Sequence, residues 1–219
     1  NIAEGELSKI IDINIIGASV FSESTLLKEF ELTTGGWFSW FTKEDQYSKQ
    51  KLSGDLEKLR SYYLNRGFLE FNIDSTQVSI TPDKEKIYIT ITITEGPVYK
   101  LGDIKFSGDL KIPEAEMRAL LLFKPGETFS RQKIVDSVKA ISDRLANDGY
   151  SFANINPVPD PDRSKQVASF TMFVDPGRRV YVRRINVQGN SRTRDEVVRR
   201  ELRQLEAGWY SIDKINRSK

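Results

Sequence analysis

The chain has 219 residues, 38% of them apolar and 29% charged, with 33 basic and 31 acidic side chains, no cysteine and no histidine. This composition suits one or two packed domains and excludes disulfides, thiolate or Ser-His-Asp nucleophiles and His/Cys metal sites. A net charge of +2 sets no field across the whole chain, and no run approaches the ~20 apolar residues of a membrane span.

The opening stretch from Asn1 to Gly5 lacks the regions of a signal peptide and reads as part of something longer. The first element in chain order is Ile13-Asn14-Ile15-Ile16-Gly17, a short alternating strand closed by a glycine suited to a left-handed turn. Ser22 follows as an N-cap, with Leu26 and Phe30 on one face of a first helix. Leu52, Leu56, Leu59 and Tyr63 step by 4, 3 and 4, the stripe of a second helix that stops at Gly67-Phe68. Residues 72–80 and 87–93 are strands, the latter alternating as Ile87, Ile89, Ile91 and Ile93. The turn Thr81-Pro82-Asp83-Lys84 joins them. The spacing predicts one β-α-α-β-β unit.

The pattern then returns. Ile104-Lys105-Phe106-Ser107-Gly108 opens a second unit, with Pro113 at the start of its first helix and Met117 and Leu121 on that helix's face. Ile134, Val138, Ile141 and Leu145, then Gly149-Tyr150, match the second helix at an offset of 82. Closing strands fall at about 153–158 and 166–174, with Pro159, Pro161 and Asp162 assigned to the turn between them. Ile185-Asn186-Val187-Gln188-Gly189 opens a third unit, read as a strand over 180–188 and a helix over about 192–205 that starts at Ser191. A second helix begins at Ser211, which aligns with Ser48 and Ser130, but the closing strands are missing. Residues 180–219 are therefore expected to pack poorly or to borrow a neighbour's surface. Glu95-Gly96-Pro97 and Asp175-Pro176-Gly177 separate the units, placing domains at 8–96, 97–177 and 178–219.

Tandem units of this order, with a glycine after the first strand and a glycine-aromatic pair after the second helix, resemble POTRA domains. Gln50-Lys51-Leu52, Gly54-Asp55-Leu56, Leu59-Arg60-Ser61-Tyr62-Tyr63-Leu64, Arg66-Gly67 and the run from Phe71 to Ser79 are similar to the third module of the family's outer-membrane-assembly branch. Val182-Arg183, Gly189-Asn190 and Arg199-Arg200-Glu201 are similar to the opening of its fifth module, while Leu110-Lys111-Ile112-Pro113 departs from the pattern. The resemblance implies an α+β fold of tandem modules, each a three-stranded mixed sheet packed against two helices, with the last module truncated. It further implies a periplasmic arm that binds lipoprotein subunits and unfolded outer-membrane protein precursors, the membrane barrel lying outside this chain. Related polypeptide export or import pores carry the same modules, and that alternative stays open.

No catalytic residue, metal ligand or cofactor is assigned. Asp103, Asp109, Asp160 and Asp162 lie near turns, where a carboxylate bonds its own backbone. Gly35-Gly36 lacks the rest of a phosphate loop, and neither Thr33-Thr34-Gly35-Gly36 nor Lys124-Pro125-Gly126-Glu127 is the Gly-x-x-Gly clamp of a KH module. No nucleic acid is expected. Nine arginines against three acids from Arg178 to Arg203 suit a solvated or partner-facing helix, or anionic lipid headgroups. Trp37, Phe38, Trp40 and Phe41 crowd the segment between the first unit's helices. Trp37 and Trp40 read either as a cap on the local core or as an exposed anchor for a partner.

A three-stranded sheet has two edges, and the family topology puts residues 72–80 at one of them. An edge strand presents free N–H and C=O groups that an incoming strand can pair with. Asp74, Ser75, Gln77, Val78 and Ile80 are the candidates, with Asp74 and Thr76 expected to share a face with Val78 and Ile80. The resemblance also implies a β-propeller lipoprotein at this module and a helical-repeat lipoprotein at Glu206, which otherwise reads as a free surface acid. In the second unit Pro157 and Pro159 remove donors, which predicts a poor pairing edge.

Overall fold

The computed structural model describes residues 9–32 and 47–218, so Trp37 and Trp40 lie outside the described residues. The chain divides into two compact units, Asn1–Tyr99 with Thr128–Arg131, and Lys100–Glu127 with Gln132–Lys219. In the first, β1 (Lys9–Ile16), α1 (Glu23–Leu27), α2 (Lys49–Leu64), β2 (Asn72–Ile80) and β3 (Lys86–Thr94) follow in order. The cleanly alternating β3 takes the centre, parallel to β1 and antiparallel to β2. Its inward Ile87, Ile89, Ile91 and Ile93 join one buried cluster with Ile10, Ile13 and Ile15 of β1 and Leu52, Leu59 and Tyr63 of α2. Leu26 is fully buried from α1, whereas Phe30 reaches the core from the loop beyond that short helix.

The second unit repeats the topology with β4 (Lys100–Gly108), α3 (Glu114–Ala119), α4 (Arg131–Asn147), β5 (Asn154–Asp162) and β6 (Val167–Asp175), in sheet order β4-β6-β5. Pro159, Pro161 and Asp162 are not in the turn. They belong to β5, whose antiparallel ladder with β6 is unbroken from Asn154 to Asp162. The strand tolerates them because Pro157, Pro159 and Pro161 occupy alternate positions, where the absent N–H points away from β6.

Among the described residues, the third segment contains two helices, α5 (Asp195–Glu201) and α6 (Ile212–Asn216). The strand expected over 180–188 reduces to one antiparallel bridge, Tyr181 with Trp209. In the other units this strand pairs with the closing strand, which has no counterpart among the described residues of the third segment, and a lone strand leaves its ladder groups unmade. The helix is shorter than expected and is capped at Arg194 instead of Ser191. Among the described residues from 178 onward, Gln204 and Ser211 alone are buried.

One device recurs in all three units, seven residues after the serine that precedes the second helix. Asp55 accepts from the N–H groups of Glu31 and Leu32 at 2.7 and 2.9 Å. Ser137 accepts from Leu122 at 2.9 Å, and Ser218 from Arg203 at 2.8 Å. Each holds the loop that follows the first helix, which would otherwise carry unmade donors. Even the incomplete third unit keeps this local structure.

Candidate functional site

Strand β2 is an edge of the first sheet. Thr81 sets its phase, because its N–H donates to the Lys86 carbonyl at 3.0 Å and so points toward β3. Main-chain groups alternate sides along an antiparallel pair. Ser79, Gln77 and Ser75 therefore bond across to Tyr88, Thr90 and Thr92, while Ile80, Val78 and Thr76 turn their N–H and C=O groups outward. Among the described residues nothing bonds to these outward groups.

The five predicted edge residues thus divide. Val78 and Ile80 present main chain to the open side; Ser75 and Gln77 do not, and their exposed side chains lie on the solvent face. Asp74 requires a correction. The register slips between Ile73 and Ser75, which makes Asp74 the extra residue of a β-bulge. Its carboxylate accepts from Asn72 Nδ2 and Thr94 Oγ1, both at 2.7 Å. The bulge reverses the alternation, so Ile73, Thr76 and Val78 are half-buried while Asp74 is exposed, and Asp74 does not share their face. Ile80, 54% exposed, forms an apolar rim at the end of the strand.

Glu206 is not a free acid. Its Oε1 accepts from the Ile185 N–H at 2.8 Å and from Arg199 Nη1 at 2.9 Å. The Ile185 N–H and then the Arg199 guanidinium hold its pKa below the usual carboxylate range. Arg199 also donates to Asp195 and, at 2.8 Å, to the Ile185 carbonyl. The signal for this residue was the repeat itself, because Arg118 lies as far beyond Ile104 as Arg199 beyond Ile185 and grips the Ile104 carbonyl at 2.8 Å.

Elsewhere in the basic segment, Arg179 lies 4.2 Å over the Trp209 ring and donates to the Asp148 carbonyl, while Arg183, Arg184, Arg192 and Arg194 are exposed. Two of the acids read as lying near turns bond locally. Asp109 pairs with Lys111, and Asp162 accepts from Ser164 and the Lys165 N–H, bonds that lower its pKa. Among the described residues no group of His, Cys, Asp and Glu could hold a metal ion, and no helix is long and apolar enough to cross a membrane.

The POTRA family model (surface antigen variable number repeat) matches residues 8–96, 99–177 and 180–219. The outer membrane protein assembly factor BamA of Neisseria meningitidis is 38% identical over 219 residues, all of this chain and 28% of the relative. BamA of Buchnera aphidicola is 31% identical over 220 residues, all of this chain and 35% of the relative. The chain thus spans about a third or less of these proteins. The crystal structure of Haemophilus influenzae BamA POTRA3-5 superposes with a TM-score of 0.80 at 31% identity, covering 97% of this chain and 84% of that one. With the paired β-α-α-β-β sheets, these matches establish that the chain belongs to the POTRA family, as a run of modules similar to the third to fifth of BamA.

Proposed function

We propose that this chain is a string of binding modules in outer-membrane protein assembly, and that β2 receives extended segments of unfolded outer-membrane proteins as an added strand, without turnover. One observation carries the reading: the outward N–H and C=O groups of Thr76, Val78 and Ile80 have no partner among the described residues. The BamA relatives support the assembly role, and on the same ground we assign the chain to the periplasm, as an arm of an outer-membrane barrel protein. Main-chain pairing reads little side-chain sequence, which suits a receptor for many clients. Each bond contributes about 0.5–1.5 kcal/mol net, against about 1–2 kcal/mol for each guest residue ordered. Binding is therefore weak and releasable.

The lipoprotein subunits of the assembly complex are the second class of partner, docking at the first unit and at Glu206. Because Glu206 is already bonded, a partner there meets the joined carboxylate and guanidinium of Glu206 and Arg199. The exposed arginines between 178 and 203 suit anionic headgroups, which flotation with anionic against zwitterionic vesicles tests. The strand reading is tested by fluorescence anisotropy with a labelled alternating Val-Thr peptide. Val78→Pro deletes one outward donor and sets a ring in the open edge without touching the β2–β3 ladder, so affinity is expected to fall tenfold or more, ~1.4 kcal/mol. Unchanged affinity in a folded Val78→Pro protein contradicts the proposal.

A further inference from the structure

The four strand edges of the two sheets are unequal, and the inequality is built from side chains and loops within each unit. On β1, the outward N–H of Ile15 is taken by Glu23 Oε1 of α1 at 2.8 Å. On β4, the Leu101 N–H donates to the Glu127 carbonyl and the Leu101 carbonyl accepts from the Gly126 N–H, both at 2.7 Å. Arg118 occupies the next outward carbonyl, that of Ile104. The third segment repeats this seal without its sheet. Val182 exchanges bonds with Gly208 and Ala207, and Ile185 is held by Glu206 and Arg199.

The remaining edge of the second sheet, β5, is closed by a different device. Its ladder to β6 leaves Ile155, Pro157, Pro159 and Pro161 as the outward-facing positions. Three of the four have no N–H, so the edge offers carbonyls almost alone, and each ring fills space that a neighbouring strand's backbone needs. Its counterpart β2 has no proline over Asn72–Ile80. The two strands are equivalent in topology and opposite in pairing capacity.

We infer that, of the two topologically equivalent edges β2 and β5, strand capture is confined to β2, and that Pro157, Pro159 and Pro161 are the specificity determinants that exclude a client strand from the second unit's β5. This rests on the strand-pairing reading of β2 and deepens it: the array takes one extended segment at one edge, so a client cannot bridge both sheets. A neighbouring unit with a bare edge would compete for the same segment or hold it twice, which opposes release.

The test uses the whole 219-residue chain, isotope-labelled, with an alternating Val-Thr peptide followed by amide chemical shifts. The wild type is expected to bind one peptide, with shifts confined to β2 and the adjoining β3. The variant carrying Pro157→Thr, Pro159→Thr and Pro161→Thr is expected to gain a second site over β5 and to bind two peptides. Wild-type shifts along β5 overturn the inference, as does a folded triple variant that gains no site there. The wild-type map decides its own arm even where the variant fails to fold. Binding at β5 in the variant with none at β2 in either protein upholds the proline assignment and removes the reading of β2 instead.

Discussion

Alanine at Gly17 or Gly108 is expected to destabilise its unit by more than about 3 kcal/mol, among the larger effects of a single substitution. Both glycines follow the first strand of their unit and adopt positive φ, +97° and +94°. A Cβ built on Gly17 would lie 2.1 Å from the Ile93 carbonyl oxygen, and one on Gly108 would lie 2.2 Å from that of Val174. These are backbone atoms of the central strands, so relief requires moving the sheet itself. Gly189 is the internal control. It has the same place in the third repeat and φ of +81°, but none of the described residues lies within 4 Å of its built Cβ, since none of them forms a closing strand opposite it. Gly189→Ala is therefore expected to cost only the left-handed backbone penalty, about 1 kcal/mol. Urea denaturation of the three variants checks this, and equal losses at all three positions would contradict the account.

Glu95→Ala is expected to cost the first unit about 3 kcal/mol. Glu95 directly follows β3, at 7% exposure, and gathers donors from the turn after β1 and from α2. The N–H groups of Ser19 and Val20 reach Oε1 at 3.1 Å, the Ser19 hydroxyl bonds Oε2, and the Tyr63 hydroxyl donates at 2.8 Å. The carboxylate ties the turn after β1 to α2 and the end of the central strand. Burial raises its pKa, yet the hydroxyls of Ser19 and Tyr63 and the two N–H groups outweigh burial and hold it below the usual range. Burial, and then the neighbouring carboxylate, push the Tyr63 phenol well above its ordinary pKa. A depressed folded pKa gives stability that is present above the unfolded value of ~4.3 and lost as pH falls through the folded value. Stability measured against pH is therefore expected to decline on the acid side in the wild type and less so in Glu95→Gln. Parallel curves would rule out this role.

The repeat was legible because each unit must bury one strand and two helices in the same way. Leu52, Leu59 and Tyr63, and likewise Ile134, Ile141 and Leu145, are buried on the stripes that their spacing defines. The edge position of β2 followed from topology. Its phase did not, because a single inserted residue at Asp74 flips the alternation without leaving any mark in composition. Pro159 and Pro161 read as turn residues because proline punctuates most chains; only the ladder reveals that their positions demand no donor. Asp55 entered the sequence reading only within a family motif, and Ser137 and Ser218 drew no reading at all. Their equivalence across the repeats was the available clue, and the loop donors they satisfy appear only in three dimensions. The strand over 180–188 failed for a plainer reason: alternation specifies one half of a pair, and the described residues hold no closing strand to pair with it.

Amide hydrogen exchange along β2 tests the central claim most directly, since it reads main-chain groups one at a time. In the free protein Ser75, Gln77 and Ser79 are expected to be protected by β3, while Thr76, Val78 and Ile80 exchange fast. Adding the alternating peptide is expected to slow those three amides and leave the others unchanged. Protection of Thr76, Val78 and Ile80 before any peptide is present, or fast exchange there at peptide saturation, would contradict an open edge that captures strands.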